Sequence, residues 1–403
     1  MLKDLITGIT RVISNITPII IFFIFVHLLP VNDIGLINYY ISLITIIGVI
    51  TDFGIPEAIQ RFLPQTKDRK KLVSYSLLLE FILVTLGILT VLILEKVVGM
   101  NISRGYLPLL LISIFFSASN TIVLVFNGLE QKKKLSFYYL LMSSLFVFIT
   151  FGLYLFLKVP AIESFLIGRI VSWILLTVIP LVDLYKQKLL KVEKDIFNGL
   201  KRFNLFTFNT FAYILSGTVL AQWDSIWITN NGGTHENGIY KSVYFIAAAP
   251  MVLATIVNTK LLPFFSELNG KGDREELKHQ YYRYQVYLVL IMSIIYLIQL
   301  PLYKIILPLL IPVEIVEQSG ILFPLIFLFT SLYISSAPSV SFLQAVGKER
   351  VIREVSIIQT VIFVIASILL YPTVGFSIFP ILLSAIYGVF LLTTLYYSYK
   401  ELK

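Results

Sequence analysis

The sequence predicts an all-α polytopic membrane protein of about twelve transmembrane helices in two six-helix halves. Three observations predict it. Of 403 residues, 57 % are hydrophobic and only 14 % charged, against roughly a quarter charged in an average soluble domain. The apolar character runs from end to end in stretches long enough to cross a ~30 Å hydrocarbon core as helices. Lysine and arginine collect in every second connection between those stretches.

The expected spans of the first half are 9–29, 36–56, 73–94, 107–128, 138–157 and 163–182. Those of the second half are 206–230, 238–264, 284–311, 319–344, 354–374 and 376–398. The runs are apolar on every side, so membrane strands, which alternate apolar and polar residues, are excluded. The first span continues past a short apolar core without a small-residue cleavage site, which predicts a retained helix rather than a signal peptide. There are no cysteines, which excludes a disulfide framework and a thiolate metal site. No Walker A sequence, dinucleotide fingerprint or His-Glu-x-x-His motif occurs, so no cofactor, metal or ATP hydrolysis is expected. The net charge of +9 is read as cytoplasmic loops facing anionic lipid, not as a nucleic-acid surface.

With the N-terminus inside, about 26 Lys and Arg fall in cytoplasmic segments, a strong positive-inside bias. Five, Lys96, Arg104, Lys158, Lys241 and Lys304, fall in outer ones, and Arg169 lies within a span. Both termini are therefore expected in the cytoplasm, in a multi-pass cell-membrane protein. Tyrosine pairs at 39–40, 138–139, 281–282 and 396–397 fall near span ends, where an aromatic belt is expected.

The organisation expected is a six-helix half over 1–190, a basic cytoplasmic linker over 191–205 and a second half over 206–403. Gln60-Arg61-Phe62-Leu63-Pro64 is echoed by Thr259-Lys260-Leu261-Leu262-Pro263, and Phe126-Asn127-Gly128-Leu129 by Gln344-Ala345-Val346. The offsets are 199 and 217 residues, which places an insertion in the 299–319 connection. Parallel repeats of this kind are typical of transporters that rock one half against the other.

Polar groups inside spans are costly, about 2.5–3.5 kcal/mol for a charge at the centre of a helix, and each demands a reason. Asp224, among Gln222, Trp223 and Ser225, reads as a cavity acid for a coupling cation or proton, or as an acid hydrated at the outer headgroups. Asp52 reads as a second cavity acid, or as a structural partner of Arg61 or Arg11. Arg169 binds an anion, pairs with Glu163 or snorkels. Asn15 and Asn258 either bond to sugar hydroxyls or bridge helices. The run Lys132-Lys133-Lys134 reads as a topology anchor.

The run Thr51-Asp52-Phe53-Gly54-Ile55-Pro56-Glu57-Ala58-Ile59-Gln60-Arg61 resembles the polysaccharide-transport branch of the multidrug/oligosaccharidyl-lipid/polysaccharide (MOP) exporter superfamily. So do Asp224, Gly238-Ile239-Tyr240, Asn258-Thr259-Lys260-Leu261-Leu262-Pro263 and Gln344-Ala345-Val346-Gly347-Lys348. The resemblance covers the whole chain in length and span pattern. It implies a MATE-like V-shaped bundle with helices 1, 2, 7 and 8 lining a cavity. It also implies a transporter, not an enzyme, that flips a lipid-linked oligosaccharide to the outer leaflet. Its partners would be that substrate, membrane lipids and a coupling cation or proton, with a monomer sufficient and no nucleic acid. Arg61 and Lys260 then become facing cations for the phosphate of the substrate. A cation-coupled drug exporter is the alternative. A polysaccharide polymerase or glycosyltransferase is disfavoured by short, nearly uncharged outer loops.

The charge asymmetry makes a direct prediction. In this cysteine-free chain, a cysteine at Lys133 is labelled by a membrane-impermeant maleimide only from the cytoplasmic side, and one at Ser103 only from outside. The opposite pattern would invert the topology.

Overall fold

The structure, a computed structural model, describes residues 21–66, 68–98, 106–117, 119–190 and 200–403. Asn15, Arg11, Ser103, Arg104 and linker residues 191–199 lie outside the described residues. Among the described residues the regular elements are helices. Residues 21–28 form α1. It is followed by α2 (Val31–Asp52), α3 (Ile55–Phe62), α4 (Arg69–Val98), α5 (Leu107–Ser117), α6 (Ser119–Gly128), α7 (Lys132–Phe151) and α8 (Ala161–Lys186). The second half contains α9 (Lys201–Asn231), α10 (Gly233–Ala248), α11 (Val252–Lys271), α12 (Arg274–Leu310), α13 (Val313–Ser319), α14 (Leu322–Ala345), α15 (Glu349–Val374) and α16 (Ile378–Leu402).

Nine described stretches are long and apolar enough to cross a membrane. The difference from twelve has simple sources. Glu349–Leu402 runs as one stretch but contains two helices, α15 and α16. The first expected span lies mostly outside the described residues. Helix α9 is not among the nine, because Asn204, Thr207, Asn209, Thr210, Ser216, Thr218, Gln222 and Asp224 dilute its apolar content.

The repeat is visible in the helix starts. Helices α7 and α15 begin at Lys132 and Glu349, and α8 and α16 at Ala161 and Ile378, both 217 residues apart. The left-handed residues that precede α7 and α15, Glu130 and Gly347, keep the same spacing. The earlier pairs are less regular. Pro64 follows the end of α3, whereas Pro263 sits inside α11. The 299–319 connection is itself helical: it holds the end of α12 and the short α13.

By packing, the chain divides into two compact units. One comprises the described residues to Ile24 and Leu36–Gln222; the other comprises Phe25–Gly35 and Trp223–Lys403. The covalent halves were expected to meet at the linker, but the packing boundary falls inside α9. In the first unit a core of α3, α4 and α6 residues, among them Ile59, Val73, Val123 and Phe126, is fully buried. In the second, α14 is the central helix and carries a stripe of buried serines. Gln285 of α12 donates to the Ser335 carbonyl at 2.8 Å and accepts from the Ser339 hydroxyl at 2.8 Å. Such interhelical bonds stand in for the hydrophobic drive that lipid removes. The tyrosine belt is only partly realised: Tyr396 faces outward, but Tyr39, Tyr40 and Tyr281 are core residues.

Two backbone features shape the units. Helix α2 stops where Phe53 and Gly54 both adopt positive φ, 48° and 73°. The Phe53 ring stacks on Phe211 of α9, with centroids 4.5 Å apart. A Cβ on Gly54 would lie 2.5 Å from the Thr207 carbonyl oxygen. The Asp-Phe-Gly motif is thus a joint that turns α2 into α3 and seats it on α9.

In the second unit, the start of α2 and α10 touch backbone to backbone. A Cβ on Gly35 would lie 1.8 Å from the Thr234 carbonyl oxygen, and one on Gly238 2.1 Å from that of Val31. Only glycine permits this approach. Gly35→Ala and Gly238→Ala should each cost about 1–3 kcal/mol through overpacking. Both should lower the thermal midpoint in detergent, whereas Gly217→Ala, whose Cβ would meet nothing within 4 Å, should leave it unchanged or raise it.

Candidate functional site

Asp224 sits on α9, one residue past the boundary between the units, and is fully buried. Its Oδ1 accepts the Ser225 amide at 2.6 Å and the Lys241 ammonium at 2.8 Å. Lys241 was counted above as an outer-loop cation. It is instead 3 % exposed inside α10, seventeen residues after its partner. Its ammonium also lies 4.5 Å from the Tyr244 ring centroid, a cation–π contact strengthened by desolvation. Tyr240, on the same face, is fully buried. The hydration reading of Asp224 fails: the cation that meets it belongs to the chain itself.

The pair is framed by a polar network. Asn237 of α10 donates to the Gly35 carbonyl and to the Ser225 hydroxyl, each at 2.8 Å. Trp223 donates to the Ser367 hydroxyl at 2.9 Å and stacks on Trp227, with centroids 5.4 Å apart. The Asp224 Oδ2 atom and the Asn237 Oδ1 atom are buried without hydrogen-bond partners. A buried pair of this kind roughly balances desolvation against attraction, but removing one partner strands a charge at about 3–5 kcal/mol. Asp224 and Lys241 therefore act as one electrostatic unit. Any change in the charge of one must be answered by the other.

Asp52 ends α2, and its Oδ1 is buried without a hydrogen-bond donor. It does not pair with Arg61. Glu80, a buried α4 residue that the sequence reading passed over, accepts from the Thr121 hydroxyl of α6 at 2.6 Å. A lone carboxylate in the middle of an apolar span was the available signal. Arg61 is exposed, its guanidinium 4.6 Å from the Phe206 ring centroid. Arg169 lies 4.4 Å from the Trp173 ring centroid, its Nε buried and unpartnered. The structure places Trp173, not Glu163, against it.

Lys260 is exposed on α11, and Asn258 accepts from the Ser341 hydroxyl of α14 at 2.7 Å, an interhelical bridge. Lys134 donates to Asp183 at 2.6 Å, and Tyr138 to the same oxygen at 2.9 Å. One member of the lysine run thus ties α7 to α8. Among the described residues no group of three or more His, Cys, Asp or Glu is arranged to hold a metal.

The family described as Polysaccharide biosynthesis protein matches residues 3–269. No curated protein sequence matches the chain. Among solved structures, the fold is similar to that of an inward-facing multidrug resistance MATE family transporter of the MOP superfamily. The TM-score is 0.74 at 13 % identity, over 96 % of this chain and 94 % of that one. It is also similar to a mutant of the Vibrio cholerae MATE transporter VcmN, with a TM-score of 0.67 at 13 % identity over 99 % and 94 % of the chains. A MOP superfamily transporter from Pyrococcus furiosus gives 0.60 at 14 % identity over 100 % and 94 %. At such identities the likeness is one of fold. With a family match over more than half its length, the chain belongs to the polysaccharide biosynthesis protein family, a multi-pass membrane protein with the fold of the MOP superfamily transporters.

Proposed function

We propose that the protein moves a lipid-linked oligosaccharide, joined to its polyprenol through a phosphate or pyrophosphate, from the cytoplasmic to the outer leaflet of the cell membrane. The family match over residues 3–269 carries this reading. Sugar hydroxyls and a phosphate cannot cross hydrocarbon unaided, because each polar group would give up its hydration without replacement. A carrier must supply polar and cationic partners inside the bilayer, and Asp224, Lys241, Arg169 and Asp52 are such groups. The charge bias supports cytoplasmic termini.

In this reading Arg61, Lys260, Arg169, Asn258 and Asn15 serve the substrate, with the two exposed cations suited to a phosphate: Arg as a bidentate donor, Lys as a point charge. Asp224, with Lys241 as its built-in counter-ion, and Asp52 are the coupling acids. The likeness to MATE folds supports a second reading, export of drugs coupled to a cation gradient. Purified protein in vesicles separates the two. A labelled lipid-linked oligosaccharide should become protected in the opposite leaflet, with and without an imposed gradient, while a cationic dye should not be moved. Dye transport without sugar-lipid protection would favour the exporter.

Two sets of substitutions test the residues. Arg61→Ala and Lys260→Ala should each cut sugar-lipid transport at least tenfold, whereas Lys133→Ala should not; equal effects from all three would reduce the pair to a topology signal. Lys134 is a poor control, because it holds Asp183. Asp224→Asn should abolish gradient-driven transport and, by stranding Lys241, lower thermal stability by about 3–5 kcal/mol. Asp224→Asn combined with Lys241→Gln should restore stability but not transport. Recovery of transport in the double variant would confine the pair to a structural role.

A further inference from the structure

Helix α12 is an outer helix of the second unit: its apolar stretch is only 6 % buried within the protein. It has 37 residues, about 55 Å at the α-helical rise, against a hydrocarbon core of ~30 Å. No charged residue occurs between Arg283 and Lys304, so Arg283 marks where the helix enters the hydrocarbon. The charge bias supports a cytoplasmic position for its start. Here a cleft of about 510 Å³ opens on α12, lined by Lys278, His279, Tyr282 and Arg283 among others. A second cavity, of about 300 Å³, lies deeper. It is bounded by Val289, Ser293 and Tyr296 of α12, Leu328 and Leu332 of α14 and Leu391 of α16. His279, Tyr282, Val286, Val289, Ser293 and Tyr296 follow one another at intervals of three and four residues. The two cavities therefore lie one behind the other along one stripe of the helix.

The two cavities differ in chemistry. In the first, Lys278 and Arg283 are exposed. The Arg283 guanidinium lies 5.7 Å from the Tyr287 ring centroid, a contact that orients it and leaves its N–H donors to a ligand. Glu275 shares the lining but stands in the first turn of the helix, two turns further from the hydrocarbon than Arg283. The end nearer the membrane is cationic. The second cavity is walled chiefly by aliphatic side chains. The Ser331 hydroxyl in its wall donates to the Phe327 carbonyl at 2.8 Å, so its donor is occupied within α14. Ser293 lies ten residues beyond Arg283, about 15 Å along the axis, the depth of one leaflet in a ~30 Å core. Leu290, Ile294 and Leu297 beside the stripe are exposed, so a molecule in the bilayer reaches both cavities sideways.

We infer that this face of α12 binds one anionic phospholipid of the cytoplasmic leaflet. Its phosphate is held by Lys278 and Arg283, and one acyl chain lies in the groove between α12, α14 and α16. Arg283 offers a planar fork of donors to the phosphate and Lys278 a point charge. The chain gains dispersion contacts with three helices at once. A chain of one leaflet's depth matches the distance from Arg283 to the groove, which favours a phospholipid over a longer polyprenol. The site shares no residue with those assigned to the transported substrate. A lipid held by the folded protein stabilises it by mass action.

Thermal unfolding and native mass spectrometry of the full-length protein in an uncharged detergent test this, and neither measures transport. Dioleoyl phosphatidylglycerol should raise the thermal midpoint saturably and remain bound in the mass spectrum. Dioleoyl phosphatidylcholine and inorganic phosphate should do neither. Lys278→Gln and Arg283→Gln, at exposed positions, should each weaken binding about tenfold, and so should Ser293→Trp, which fills the groove. Lys400→Gln, at an exposed cation of α16, should leave binding unchanged. Binding that survives both charge substitutions, or falls equally with Lys400→Gln, would overturn the site. A polyprenyl phosphate that binds more tightly than phosphatidylglycerol through the same residues would overturn the choice of occupant. If Ser293→Trp does not accumulate, the wild type with dihexanoyl phosphatidylglycerol, at equal mole fraction in the micelle, decides on the groove. Binding as tight as that of the dioleoyl lipid overturns the seat for the acyl chain, and weaker binding supports it.

Discussion

An ionised group inside a bilayer must find its partner within the protein, and this requirement orders both units. In the second unit, Asp224 meets Lys241 at 2.8 Å, with neither side chain more than 4 % exposed. The bond joins α9 to α10, and Asn237 extends it to the start of α2 through the Gly35 carbonyl. The glycine contacts at Gly35 and Gly238 follow from the same geometry. The short Asn237 side chain reaches the Gly35 carbonyl across this close approach.

The first unit meets the same requirement by other means. Glu80 is buried there and accepts a hydrogen bond from the Thr121 hydroxyl. Among the described residues, an internal cation meets the buried acid Asp224 of one unit and a hydroxyl meets the buried acid Glu80 of the other. That difference is notable in a chain whose later helices repeat at a constant spacing of 217 residues.

The Asp-Phe-Gly joint connects scaffold and chemistry. Phe53 is held at positive φ, a costly state for a bulky residue, and the stacking on Phe211 holds it there. The result is that α2 ends at Asp52 rather than continuing as one straight span to residue 56. A motif that carries a family resemblance thus has a mechanical meaning in this chain.

The sequence by itself determined the class, the approximate positions of the helices and the family. Each of these rests on properties that add along the chain: apolar length, the count of cations between spans, and matched helix ends such as Asn127-Gly128 and Gln344-Ala345. It also flagged Asp224, Asp52 and Arg169, because a charge within an apolar run is visible locally. Their partners were decided only by the tertiary structure. Lys241 was counted as an outer-loop cation, since nothing local distinguishes a lysine near a span end that faces water from one that turns inward. Glu80 acquires its partner from Thr121, on another helix. Hydrogen bonds and close ion pairs form only at contact distances of about 3 Å, so they depend on which helix faces meet, and that is fixed by packing rather than by composition.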